Sequence, residues 1–149
     1  MTIRHYISII LLLPVWLYGQ STNSDKTVDA LVSKLKSWDN GYIGCFGATI
    51  TDSTILVLID KGKPIAKQLV KYLDQPEKVV SIHIILSTIY GDTISVKEET
   101  VSKGENSSVK KKTINKLILT TNRNPKQFTH VIDKKSQKEI ISMWKRRVN

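Results

Sequence analysis

"PEKVVSIHIILSTIYG", residues 76–91, is the least polar stretch of the chain after its first eighteen residues, and a histidine sits in the middle of it. Pro76 suits a first helical position and Gly91 a helix end, so the stretch reads as a helix. Apolar side chains at 79, 80, 82, 84, 85, 86 and 89 nearly encircle it. That pattern predicts an inner, buried helix and not an amphipathic surface one. A metal site at His83 would want a second ligand one turn away, but those places hold Val79, Val80, Leu86 and Ser87. His83 is therefore expected to be a hydrogen-bonded core residue.

Immediately upstream, "KPIAKQLVKYLDQ" places Pro64 at a second helix start, with Ile65, Leu69, Val70 and Leu73 on one face. A short Asp-Gln-Pro turn joins the two helices into an αα-hairpin. The run "TDSTILVLIDKGKP" before it fits a strand or a helix; as a helix over 52–60 it would cover the hairpin's open side.

The pattern "IAKQLVKYLDQPEKVVSIHIILSTIYGD" resembles a single HEAT-type helical repeat, over residues 65–92. Leu69 and Leu73 fall in apolar slots of the outer helix, Asp74 and Pro76 in the turn, and Val79, Ile82, His83, Leu86 and Ile89 in the inner helix. One copy is present, and a solenoid needs several stacked units. The resemblance thus implies a local packing mode and a protein-binding role, without a solenoid.

Residues 1–20 read as a signal peptide. Arg4 gives a basic start, "ISIILLLPVWLY" a twelve-residue apolar run, and Gly19 a small residue before the polar "QSTNSDK". Twelve residues are too few to span a bilayer as a helix. The remaining 21–149 form one domain's worth of chain, expected to be exported to the periplasm or beyond the cell. Its first half, 21–91, is expected to be helical, opening with the amphipathic "SDKTVDALVSKLKSWDNG", where Val28, Leu31, Val32, Leu35 and Trp38 keep helical spacing. Asp25 and Asp29 fall on its exposed face.

From 92 onward the chain changes character. Short β-prone runs occur at 94–101, 117–121 and 128–132, while 103–113 has loop composition. "SQKEIISMWKRRVN" closes the chain as a helix. Ser136 and Glu139 match a capping box, and Ile140, Ile141, Trp144 and Val148 form its apolar stripe. The fold class expected is α+β: an N-terminal helical layer with a HEAT-like αα-hairpin, then a small antiparallel sheet and a C-terminal helix.

Charge is unevenly spread. Residues 20–102 carry nine Lys/Arg against ten Asp/Glu, and residues 103–149 carry thirteen against three. Such asymmetry points to an acidic partner. The basic candidates are Lys110, Lys111 and Lys112 in "VKKKTINK", and Lys145, Arg146 and Arg147 in "WKRRVN". Lysine dominates, nineteen of 23 basic residues, and it reads phosphate less specifically than arginine. Trp144 belongs to an apolar stripe and not to a base-stacking series. These features favour a protein, or an anionic envelope surface, over nucleic acid; a solvated loop is the competing reading of the lysine run.

No nucleophile elbow, zinc-protease helix, phosphate-binding loop or dinucleotide fingerprint occurs. Glu98 and Glu99 are adjacent in a strand-like run, so they point to opposite faces. Cys45, the lone cysteine, lies among apolar residues and glycine in "YIGCFG", the setting of a buried small hydrophobe. No metal or cofactor is expected. The leading expectation is a non-enzymatic interaction module of a bacterial cell envelope. Two alternatives stand beside it: an immunity or inhibitor protein using the basic C-terminal half, and a small envelope hydrolase using Cys45 and His83.

Overall fold

The computed structural model describes residues 26–35, 53–104, 108–124 and 127–149. The expected signal peptide, Asp25, Trp38 and Cys45 lie outside these residues. Helix α1 covers 26–34. There follow α2 (Ser53–Lys61), a 3₁₀ turn (Lys63–Ile65), α3 (Ala66–Leu69), a second 3₁₀ turn (Val70–Tyr72) and α4 (Pro76–Ile89). Strands β1 (Val96–Lys103), β2 (Ser108–Ile114), β3 (Leu117–Asn124) and β4 (Gln127–Ile132) form an antiparallel meander in sequence order, and α5 (Lys134–Arg147) closes the chain. The fold is α+β, with helices first, then the sheet and a terminal helix.

Helix α4 is the axis of the core. Every residue from Val79 to Ser87 is buried, as the encircling apolar pattern predicts. Gly91 ends the helix at φ +73°, a conformation that favours glycine. Its N–H donates to the Thr88 carbonyl at 3.0 Å, and the Asp92 N–H donates to the Ser87 carbonyl at 2.8 Å. These two bonds form a Schellman motif, which satisfies the last carbonyls and turns Asp92 back along the helix.

The ambiguous run at 52–60 is helix α2, which packs Leu58 into the core and lies against α4. Gly62, at φ +67°, ends it. The hairpin's first arm is less regular than its spacing predicts: one α turn stands between two 3₁₀ turns. An arm this short gains few i→i+4 bonds, so side-chain packing of Ile65, Leu69, Val70 and Leu73 sets its geometry. Asp29 also departs from expectation. It is exposed, yet its carboxylate accepts from Gln68 Nε2 at 2.7 Å and from the Tyr72 hydroxyl, tying α1 to this arm. Those two bonds, the Tyr72 one foremost, hold its carboxyl below the usual carboxylate range.

The largest correction concerns 103–113. Its lysine-rich sequence reads as a loop, but Ser108–Ile114 is the central strand β2. Register explains why the strand is tolerated. Directly paired residues share a sheet face, so Val96, Ile114, Leu117, Leu119 and Ile132 pack together into the core. Further along the same face, Lys112 and Lys110 both meet Glu98 from β1, with Lys112 only 13% exposed. The two ammonium groups share one carboxylate across the strands. On the β1 edge the register shifts between Thr100 and Ser102, a bulge that blunts further strand pairing.

A second correction concerns the α5 start. The cap is Asp133, whose Oδ1 accepts the Ser136 N–H at 2.7 Å, so the helix begins before the expected Ser136–Glu139 box. Ser136 is instead a buried bolt. Its hydroxyl accepts the Ile118 N–H from β3 at 3.0 Å and donates to the Asp133 carbonyl. The stripe is as expected, with Ile140 and Trp144 buried and Ile141 and Val148 packed beside them. The cap assignment makes a clear forecast for chemical denaturation. Asp133→Ala should cost about 1 kcal/mol of stability, whereas Glu139→Ala should stay within about 0.5 kcal/mol of wild type. Equal losses in the two variants would restore the capping box.

Candidate functional site

His83 is buried, and both of its ring nitrogens are engaged. Trp144 Nε1–H donates to His83 Nδ1 at 2.9 Å, and His83 Nε2 lies 3.1 Å from the carbonyl oxygen of Asn115. Because the indole N–H can only donate, Nδ1 must accept, so the proton sits on Nε2 and is given to Asn115. The imidazole and indole rings meet edge-on, centroids 6.0 Å apart at 68°. Burial holds the His83 pKa below its ordinary value, against smaller opposing effects of the Asn115 and Ile114 backbone and the Asp92 charge. The lone pair that a general base would use is already occupied. Cys45, its expected partner in the hydrolase reading, lies outside the described residues.

Asn115 joins three elements. Asn115 and Lys116 form the two-residue β2–β3 turn, with φ +42° and +77°. Both values are positive, as a type I′ hairpin requires. The Asn115 side chain accepts the Ser95 N–H at 2.7 Å and donates to the Ser87 hydroxyl at 3.3 Å. Its backbone carbonyl accepts a hydrogen bond from His83 Nε2–H. One turn residue thus fixes the entry to β1, the C-terminal half of α4 and the tip of the sheet.

Around this junction lies a cleft of about 490 Å³, lined by His83, Ser87 and Asn115 together with Lys97, Lys116 and Met143. Asp92 also lines it, delivered there by the Schellman turn. Its carboxylate is held by the Arg147 guanidinium through two bonds, one of them 2.8 Å. That pairing keeps the Asp92 pKa below the usual carboxylate range. Arg147 lies over the rings of Tyr90 and Trp144, 4.7 and 5.1 Å from their centroids.

A second concavity, about 310 Å³, runs between the hairpin's first arm and α5. Val70, Ile141 and Val148 supply its apolar surface, and Lys67, Lys71, Lys145 and Asp74 its charges.

The six basic residues singled out in the sequence do not form one patch. Lys110 and Lys112 sit on the core-side face of β2 against Glu98, while Lys111 points to the opposite face. Arg147 is committed to Asp92, and Arg146 is exposed beside it. Lys145 faces the groove, where it meets Lys67 and Lys71 from the helical layer. Those two lysines, and Lys97, Asn115 and Lys116 of the cleft, are absent from the sequence candidates. The i, i+4 spacing of Lys67 and Lys71 was the available signal; no local spacing announces the others. Among the described residues no three His, Cys, Asp or Glu side chains gather as a metal set, and no helix is long and apolar enough to cross a membrane. No protein-family model matches the chain, and neither a curated protein nor a solved structure does.

Two expectations follow for stability. Trp144→Phe keeps one aromatic ring but removes the N–H with the rest of the indole, leaving His83 Nδ1 buried without its donor beside a small cavity, and should cost at least about 1–3 kcal/mol in urea denaturation. The second concerns pH. The folded chain resists protonating His83, whereas the unfolded chain takes the proton near 6.5. This contribution is therefore complete above 6.5 and lost as pH falls below it. The lowered Asp29, Asp92 and Glu98 carboxyls act in the same direction, but only near and below about pH 4.5. Stability should then fall from pH 7.5 to 5.5 in wild type, and fall less in His83→Gln; equal falls would show that His83 does not carry the effect.

Proposed function

We propose that the protein is a non-enzymatic interaction module, exported to a bacterial cell envelope, which holds an acidic protein partner in the groove between the hairpin and α5. The observation that carries this reading is the meeting of Lys67, Lys71 and Lys145 around the apolar Val70, Ile141 and Val148. An apolar floor whose rim carries three lysines against one aspartate suits a partner segment that presents hydrophobic side chains flanked by carboxylates. The three lysines come from two distant parts of the chain, so the surface exists only in the folded protein.

Two further features support a binding role over catalysis. His83 spends both nitrogens on structure, and Asp92 is neutralised by Arg147. The overall basic balance, 23 Lys/Arg against 13 Asp/Glu, would speed encounter with an acidic surface. Export rests on the basic start and apolar run of residues 1–20. An inhibitor or immunity protein is the special case in which the acidic partner is an enzyme or toxin.

The test is retention of an envelope protein by the immobilised chain at two salt concentrations. Raising salt from about 0.1 to about 1 M shortens the Debye length from about 10 to about 3 Å. An acidic partner should be retained at low salt, released at high salt, and lost in the triple variant Lys67→Glu, Lys71→Glu, Lys145→Glu with its thermal midpoint unchanged. Nothing retained above background, or equal retention by the charge-reversed chain, would sink the proposal.

A further inference from the structure

We infer that the cleft over Asn115 is a binding site for a small organic anion, a carboxylate or phosphate head on a short, partly apolar body. Its volume of about 490 Å³ lies in the range of small-ligand sites. The lining combines an apolar component with a few convergent polar groups. Met143 brings an apolar side chain, Thr93, Thr113 and the lysines bring carbon beside their polar groups, and Ser87, Ser95 and Asn115 are polar.

Charge selects the ligand. Lys97 and Lys116 are among the lining residues, and neither enters an ion pair among the described residues. Asp92, the acidic group of the lining, is bound on both oxygens by Arg147. His83 is neutral. Two lysines therefore border the cleft, and its lining carboxylate is already held by Arg147, so an anionic head between the lysines would complete the pairing.

The backbone gives an independent reason to assign function here. Lys116 occupies the second central position of the turn at φ +77°, where glycine is the favoured residue. A side chain retained in that conformation strains the backbone, and such strain clusters at ligand sites. Here the strained residue is also one of the two cations in the cleft. Asn115, beside it, is pinned to α4 and to Ser95, so the turn presents the ammonium from a fixed base.

Lys116→Gly offers a variant that removes one cation while relieving the backbone, so it should fold at least about as well as wild type. The experiment is amide NMR titration of the full chain with inorganic phosphate and, separately, with hexanoate, each against matched sodium chloride. For at least one probe, the amides of Ser95, Lys97, Thr113, Asn115 and Lys116 should shift and saturate. The double variant Lys97→Gln, Lys116→Gly should bind about tenfold more weakly, the loss of charge-assisted bonds. The Lys67, Lys71, Lys145 triple variant should bind unchanged, which separates this site from the groove. Saturation by phosphate assigns a phosphoryl head, and tighter saturation by hexanoate assigns a carboxylate with an apolar body. Shifts that never saturate with either probe, unchanged affinity in the double variant, or shifts centred on the groove would each overturn the assignment.

Discussion

Trp144, His83 and Asn115 form one hydrogen-bonded chain through the centre of the molecule, and it joins three elements that are far apart in sequence. The indole of α5 donates to the imidazole of α4, and the imidazole donates to the tip of the β2–β3 hairpin. In an apolar interior such bonds are directional where the surrounding contacts are not, so they fix rotation and register among elements that hydrophobic burial only brings together. A neutral His83 in a single tautomer is the condition for the arrangement. The same requirement makes the ring unsuited to proton transfer, which is why the most chemically suggestive residue of the sequence is structural.

The polar groups that reach the interior follow the same logic. Ser136 bolts α5 to β3, and Gln137 Nε2 donates to the Leu73 carbonyl at the end of the hairpin's first arm, at 2.8 Å. Asn115 holds α4 and the β1 entry. Each is buried or half-buried, and each makes at least one hydrogen bond between elements. The helical layer and the sheet are therefore joined by specific bonds as well as by the apolar cluster, and α5 is the element that touches both.

The basic character of the chain is likewise resolved by geometry. Part of it is structural: Lys110 and Lys112 share Glu98 across β1 and β2, and Arg147 closes Asp92 while covering Tyr90 and Trp144. Five further lysines border two concave places. Lys67, Lys71 and Lys145 border the groove, and Lys97 and Lys116 border the cleft. A linear count of charges along residues 103–149 mixes these roles, because it ignores which face of a strand or helix each side chain leaves from.

Local patterns sufficed for the buried α4, for its bounds at Pro76 and Gly91, for the apolar stripe of α5 and for the α+β class. Each depends on periodicity or on the backbone preferences of proline and glycine, and those are properties of neighbours in the chain. Strand β2, the Asp133 cap, the Trp144 partner of His83 and the meeting of Lys67 with Lys145 were decided only in the folded molecule. A lysine-rich run becomes a central strand when a glutamate lies opposite and strands flank it on both sides. A histidine acquires its role from an indole sixty-one residues away. Sequence spacing records which residues share a turn of helix or a face of strand; it carries no record of which distant element will be packed against them.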